Sequence, residues 1–145
     1  MKFIHKIVFA GLSLLLITIT MVTAGCSGTQ ESPKLESVRW VLKSYGNADS
    51  LTPVLPDKEV WLEFKSADKT VGGNAGVNLV SGQYNIDGNK LTWDSLMLTL
   101  MAGPEPLMSQ ETRYVKILGS AQTFKIEGQT LTITGTEGTL VFTQK

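Results

Sequence analysis

The chain has 145 residues, with 13 basic and 13 acidic side chains, one histidine and one cysteine. That length suits one domain of ordinary size. Balanced, scattered charge excludes the clustered Lys/Arg surface that displaces counterions from nucleic acid, and a lone cysteine excludes an internal disulfide framework.

Met1 to Lys6 carries Lys2, His5 and Lys6, and the 19 residues from Ile7 to Gly25 then hold no charge. A basic start, a long apolar run and small residues before a cysteine describe a secretory leader. The end of the run, Val22-Thr23-Ala24-Gly25-Cys26, resembles the bacterial lipobox, in which the cysteine thiol is diacylated and becomes the new N-terminus; Thr23 stands where that motif most often has leucine. An uncleaved anchor is the alternative, because the run is long enough to span a bilayer. Either reading tethers the domain outside the cytoplasmic membrane. Residues 1–25 are therefore expected to be a signal peptide with a lipobox, 26–36 a flexible tether rich in small polar residues, and 37–145 the folded domain. Cleavage removes His5, Lys2 and Lys6, leaving 11 basic against 13 acidic residues and no free thiol once Cys26 is lipidated.

The folded part is expected to open with a strand at Val38 to Ser44, where β-branched and aromatic residues partly alternate. Leu51 to Asp57 contains Pro53 and Pro56 and reads as a connection or an edge. Val60, Leu62 and Phe64 alternate with Trp61, Glu63 and Lys65 in a half-buried strand. Val71 to Tyr84 contains four glycines and two asparagines, which suits a tight corner between paired strands. Asp87-Gly88 is a hairpin signal between Gln83–Ile86 and Leu91–Trp93, and Asp94 to Met101 continues as an apolar strand. One helix follows: Leu107, Met108, Glu111, Tyr114, Val115 and Leu118 share a face, Pro106 and Glu105 suit its first turn, and Gly119 is its expected stop. Phe124 to Phe142 returns to period two as three antiparallel strands. The expected fold is α+β, a strongly bent, open-barrel-like antiparallel sheet packed on one α-helix, with Trp40, Trp61, Trp93, Phe64, Phe124 and Phe142 in the core.

Without the leader there is no histidine or cysteine to act as nucleophile, general base or zinc ligand. No serine sits in a nucleophile turn. Glu59 with Glu63 and Glu105 with Glu111 are the nearest carboxylate pairs, and exposed strand and helix faces account for them. Asp87-Gly88-Asn89 lacks the rest of a calcium loop, and Gly72 to Gly76 lacks the Gly-Lys-Ser/Thr of a phosphate loop. No catalytic residue, metal or cofactor is therefore expected. The candidate binding loop is Met101, Ala102, Gly103, Pro104, Glu105 and Pro106, where methionine adapts to irregular surfaces and proline reduces the entropy lost on docking.

The order of these elements resembles the META domain family, which includes the HslJ-type lipoproteins. Trp40-Val41-Leu42 matches its tryptophan-containing first strand. Gly73-Asn74-Ala75-Gly76-Val77-Asn78 matches its G-x-A-G-C-N segment, and Gly82-Gln83-Tyr84 its G-x-Y step. Thr99-Leu100-Met101-Ala102-Gly103 matches T-x-M-A-C, followed by a helix with an early glutamate, Glu111. Gly128 to Ile133 matches the G-x-x-L-x-L of the last hairpin. Val77 and Gly103 stand where the family commonly has cysteines, and the resemblance implies that these two positions face each other. It carries over fold and envelope location but no active site.

Together these readings describe a non-enzymatic, lipid-anchored envelope protein that binds a partner. The membrane is engaged through the lipid on Cys26, and the other partner is an envelope protein or a lipid, with no nucleic acid. Alternatives are an inhibitor of an exported protease or lysozyme and a lipid-handling secretion accessory. Metabolic labelling with palmitate is expected to mark the wild-type chain and to be abolished by Cys26→Ala; persistent label in the variant would refute lipidation at that residue.

Overall fold

A computed structural model describes residues 34–145; the leader, Cys26 and most of the tether lie outside the described residues. The strands are β1 (Arg39–Asn47), β2 (Ser50–Pro53), β3 (Trp61–Lys65), β4 (Thr70–Asn74), β5 (Leu79–Asp87) and β6 (Lys90–Leu98). Helix α1 (Glu105–Gly119) follows, then β7 (Ala121–Glu127), β8 (Thr130–Gly135) and β9 (Gly138–Gln144). All neighbours pair antiparallel in the order β2-β1-β3-β4-β5-β6-β7-β8-β9, and β1 also pairs with β9. The bent sheet expected from sequence is thus curled until it closes on itself, with one helix across an end.

Closure rests on β1. Its first residues pair with β3 (Trp40↔Leu62) and its last with β2 (Gly46↔Leu51), while its other edge runs along β9, from Trp40↔Gln144 to Gly46↔Thr139. A register shift between Leu42 and Ser44 bends the strand where it changes neighbours. The glycine-rich stretch forms the β4–β5 hairpin, and Gly73 is needed there because a Cβ would run into the carbonyl oxygen of Trp61 across the ladder. Asp87↔Lys90 closes the expected β5–β6 hairpin, with Gly88 at φ +62°.

Alternation decides what fills the interior. Trp40, Leu62, Phe64, Tyr84, Leu91, Ile133 and Phe142 are completely buried, and Phe64 packs edge-on against Tyr84 at 5.1 Å. Residues before β1 close the lower end: Trp40 Nε1 donates to Leu35 O (2.8 Å), and Tyr84 Oη donates to Glu36 Oε1 (2.5 Å). Lys69 and then Tyr84 hold the Glu36 carboxyl below its ordinary pKa. Domain contacts therefore reach two residues N-terminal to the expected start at 37.

Three expected core aromatics are displaced. Trp61 faces outward beneath the Arg39 guanidinium, 4.0 Å from the ring. Phe124 is half-buried at the rim, and Trp93, also half-buried, donates from Nε1 to Leu118 O (2.6 Å), satisfying a carbonyl at the helix end. Gly119 does not stop the helix in a left-handed conformation; Ser120 follows it, with its N–H bonded to Ile117 O. The helix is also rotated from its expected face. Gln110 and Ile117 are buried, whereas Met108 and Val115 remain half-exposed.

The two tryptophans at either side of the barrel wall should respond differently to truncation. Trp40→Ala is expected to cost about 3–5 kcal/mol, and Trp61→Ala about 1 kcal/mol or less, the worth of an exposed cation–π contact, as read by urea denaturation of the two variants.

Candidate functional site

The upper end of the barrel gathers segments that are far apart in sequence. The β4–β5 turn, Ala75 to Asn78, meets the loop from Thr99 to Pro104 and the first two turns of α1. The turn needs a residue of positive φ at Gly76 (φ +128°), whose N–H donates to Asn74 Oδ1 (2.8 Å). This geometry aims the next two backbone N–H groups at the helix.

Their acceptor is Glu111. Val77 N–H and Asn78 N–H donate to Oε2 at 2.8 and 2.6 Å, and Asn78 Nδ2 donates to Oε1 at 2.5 Å. The residue is 3% exposed. It thus departs from the expectation that an exposed helix face accounts for it: Glu105 is exposed and accepts a bond from Ser109 Oγ, but Glu111 points inward. Among the described residues no cation pairs with it, so its burial is offset by N–H donors at charge-assisted distance.

Asn78 extends the network into the loop. Its Oδ1 accepts from Thr99 Oγ1 (2.9 Å) and Met101 N–H (2.7 Å), and its Nδ2 also donates to Met101 O (3.1 Å). Both ends of one amide therefore hold one loop, as a strand neighbour would.

The loop so fixed forms one wall of a groove whose other wall is the outer side of α1. Leu98, Leu100, Met101 and Ala102 face Met108, Thr112, Val115 and Lys116 across a volume of about 660 Å³, with Asn78 and Glu111 at its base. The lining is mostly apolar, and Leu100 is 95% exposed. At the rim Lys116 Nζ lies 2.8 Å from Glu137, whose carboxyl it holds below the ordinary range.

The expected binding loop is split by this arrangement. Met101 and Ala102 line the groove; Gly103 turns away to pack on Val77; Pro104, Glu105 and Pro106 are exposed where the helix begins. Leu98, Leu100, Met108, Thr112, Val115 and Lys116 were not anticipated. The signal was the apolar run Leu96 to Met101, interrupted only by Thr99 and lacking the polar alternation of a half-buried strand. The other carboxylate pair, Glu59 and Glu63, is divided between Lys145 (2.7 Å) and Arg39 (3.6 Å). Among the described residues no cluster of His, Cys, Asp and Glu is arranged to hold a metal.

The sequence model of the META domain family matches residues 33–145. Among solved structures, the chain is similar to the NMR structure of a protein from Burkholderia xenovorans, with 23% identity and a TM-score of 0.65 over 77% of this chain and 83% of that one. A second NMR structure shares 22% identity at a TM-score of 0.59, covering 75% and 90%. The crystal structure of a DUF4847 family protein from Bacteroides vulgatus shares 18% identity at a TM-score of 0.54, covering 75% and 93%. At these identities the likeness is one of fold. No curated protein matches the chain.

The positions that the family resemblance paired do face each other. A Cβ placed on Gly103 would stand 3.4 Å from Val77 Cβ and only 2.6 and 2.9 Å from its methyl carbons. Valine occupies the space that a side chain at 103 would need, so Gly103→Ala is expected to destabilise the domain by about 1–3 kcal/mol, and adding Val77→Ala should recover part of that loss. The Val77→Cys/Gly103→Cys double variant should form a disulfide under mild oxidation; a chain whose two thiols stay free by mass spectrometry would disprove the facing geometry.

Proposed function

The chain belongs to the META domain family, and from that premise we propose that it is a non-enzymatic, lipid-anchored protein of the cell envelope that acts by binding, with the groove between the Leu98–Ala102 segment and α1 as its contact surface. The anchor in this reading is Cys26, supported by the lipobox-like end of a leader with a basic start and an uncharged run from Ile7 to Gly25. The domain then stands outside the cytoplasmic membrane.

The observation that carries the binding role is an apolar surface held in fixed shape. Leu100 at 95% exposure and Met101 at 53% are costly to present to water unless something covers them. Asn78, itself held by Glu111, bonds Thr99 and Met101 of this loop, so the loop is preorganised, which reduces the entropy cost of docking. Methionines on both walls suit a partner of irregular shape. Among the described residues the ionisable groups lining the groove already have partners, Glu111 with the Val77 and Asn78 N–H groups and the Asn78 amide and Lys116 with Glu137.

A rigid loop tip bearing an exposed leucine also fits the second reading, inhibition of an exported hydrolase by insertion of that tip. Lipid carriage has less support, since Trp40, Phe64, Tyr84 and Phe142 fill the barrel and the groove is open along its length.

In-cell photo-crosslinking separates these. A photoreactive residue at Met101 or Glu105 is expected to give a discrete protein adduct that is missing when the probe sits at Lys125, which lies on β7 away from the groove. A hydrolase in that adduct, inhibited by the pure chain, would favour the second reading; only diffuse or lipid adducts would overturn a protein-binding role.

A further inference from the structure

The groove has a second property, in its backbone. Past the end of β6 the chain stays beside β5: Thr99 N–H donates to Leu79 O (3.1 Å), and Met101 exchanges bonds with the Asn78 side chain in both directions. Thr99 and Met101 thus turn their backbone groups toward β5. In an extended segment paired on one side, the intervening residues direct theirs the opposite way. For Leu98, Leu100 and Ala102 that direction is the groove.

No strand waits there. β7 joins β6 through a single ladder pair, Lys90↔Thr123, at the far end, and β7 starts only two residues from that pair, at Ala121, so no strand runs beside upper β6. Trp93, Leu96 and Leu98, which would be sealed in by a continuous wall, are only half-buried. The N–H and C=O groups of Leu100 and Ala102 have no hydrogen-bond partner among the described residues. An unpaired edge of this kind is a template for another strand.

We propose that the Leu98–Ala102 edge receives an extended polypeptide as an added strand, whose alternate apolar side chains enter the groove between this edge and α1. The inference rests on the binding role above and specifies its partner. Continuity with the β5–β6 ladder selects the occupant: the added strand takes up pairing on the side of β6 that β7 abandons. A lipid chain would fill the groove but leave the row of donors and acceptors unmatched, and so would a helix, whose own backbone bonds are already closed. In strand addition the main chain supplies affinity, and the pockets for every second side chain supply selectivity.

The probe is a short peptide of alternating valine and threonine, fluorescently labelled and titrated against the full chain by anisotropy. Two further peptides carry N-methyl groups on alternate amides, one set on each edge. Strand addition predicts that one methylated isomer binds roughly tenfold more weakly or worse, the loss of one to two hydrogen bonds, while the other stays within about twofold of the parent. Leu100→Pro, which removes a donor at an exposed position, should weaken the parent peptide similarly, and Leu100→Ala should weaken it less. Equal binding by both methylated isomers would overturn the proposal in favour of apolar burial alone. If no peptide binds while the Met101 crosslink still captures a protein, strand addition is wrong and the binding role stands; if neither occurs, both fall.

Discussion

Glu111 is a carboxylate almost sealed from water, and the upper end of the barrel is organised by the need to satisfy it. A buried charge without partners costs several kcal/mol, and the docked helix meets three donors there. Two come from successive backbone N–H groups of the β4–β5 turn and one from the Asn78 amide. The turn can present them only because Gly76 adopts φ +128°. A conformational freedom at residue 76 therefore docks a helix that begins at residue 105. The same step fixes Asn78, whose remaining bonds hold the loop between β6 and α1. Glycine, asparagine and glutamate motifs that look unrelated along the chain form one hydrogen-bonded unit, with a structural reason for each residue type.

That unit explains why the sequence was readable in some places and silent in others. Strands whose inner residues alternate cleanly, such as Val60, Leu62 and Phe64, announced themselves, as did turns at Gly88 and Gly128, because both signals are local. The helix was legible in extent but not in rotation. Its apolar stripe included Met108 and Val115, and the stripe alone could not reveal that Gln110, which accepts from Leu55 N–H at 2.6 Å, would take an inward position. Trp61 failed for a similar reason. Its strand alternates in the expected way, but aromatic size suggested burial, whereas its parity placed it outside, where Arg39 covers it. Parity was the better guide than size.

The groove was the least legible feature, since it depends on an incomplete pairing. Nothing in the residues of β6 and β7 states that their ladder stops at Lys90↔Thr123. The cause lies in what intervenes. The chain between them is a fifteen-residue helix, whose last turn is drawn to β6 by the bond from Trp93 Nε1 to Leu118 O and to β8–β9 by Glu137 N–H on Ser120 Oγ. The helix end stands beside Trp93, so β7 begins only at Ala121 and upper β6, from Leu98 on, has no strand beside it. A barrel that admits a helix at its seam keeps a strand edge open there.

An open edge beside exposed leucine and methionine is ordinarily a route to aggregation, and proteins blunt such edges with charge, proline or cover. This chain places Pro104 and Pro106 just beyond the edge and Lys116 across from it, while the segment itself, Leu98 to Ala102, is uncharged. The protection therefore frames the edge without closing it. Its bonds to Asn78 keep Met101 in an extended register that a free loop would lose, maintaining a pairing-competent edge at a fixed distance from α1. Stability alone would be served as well by a shorter or more polar connection; the fixed, apolar, extended one has a physical rationale when another extended chain is to be paired against it.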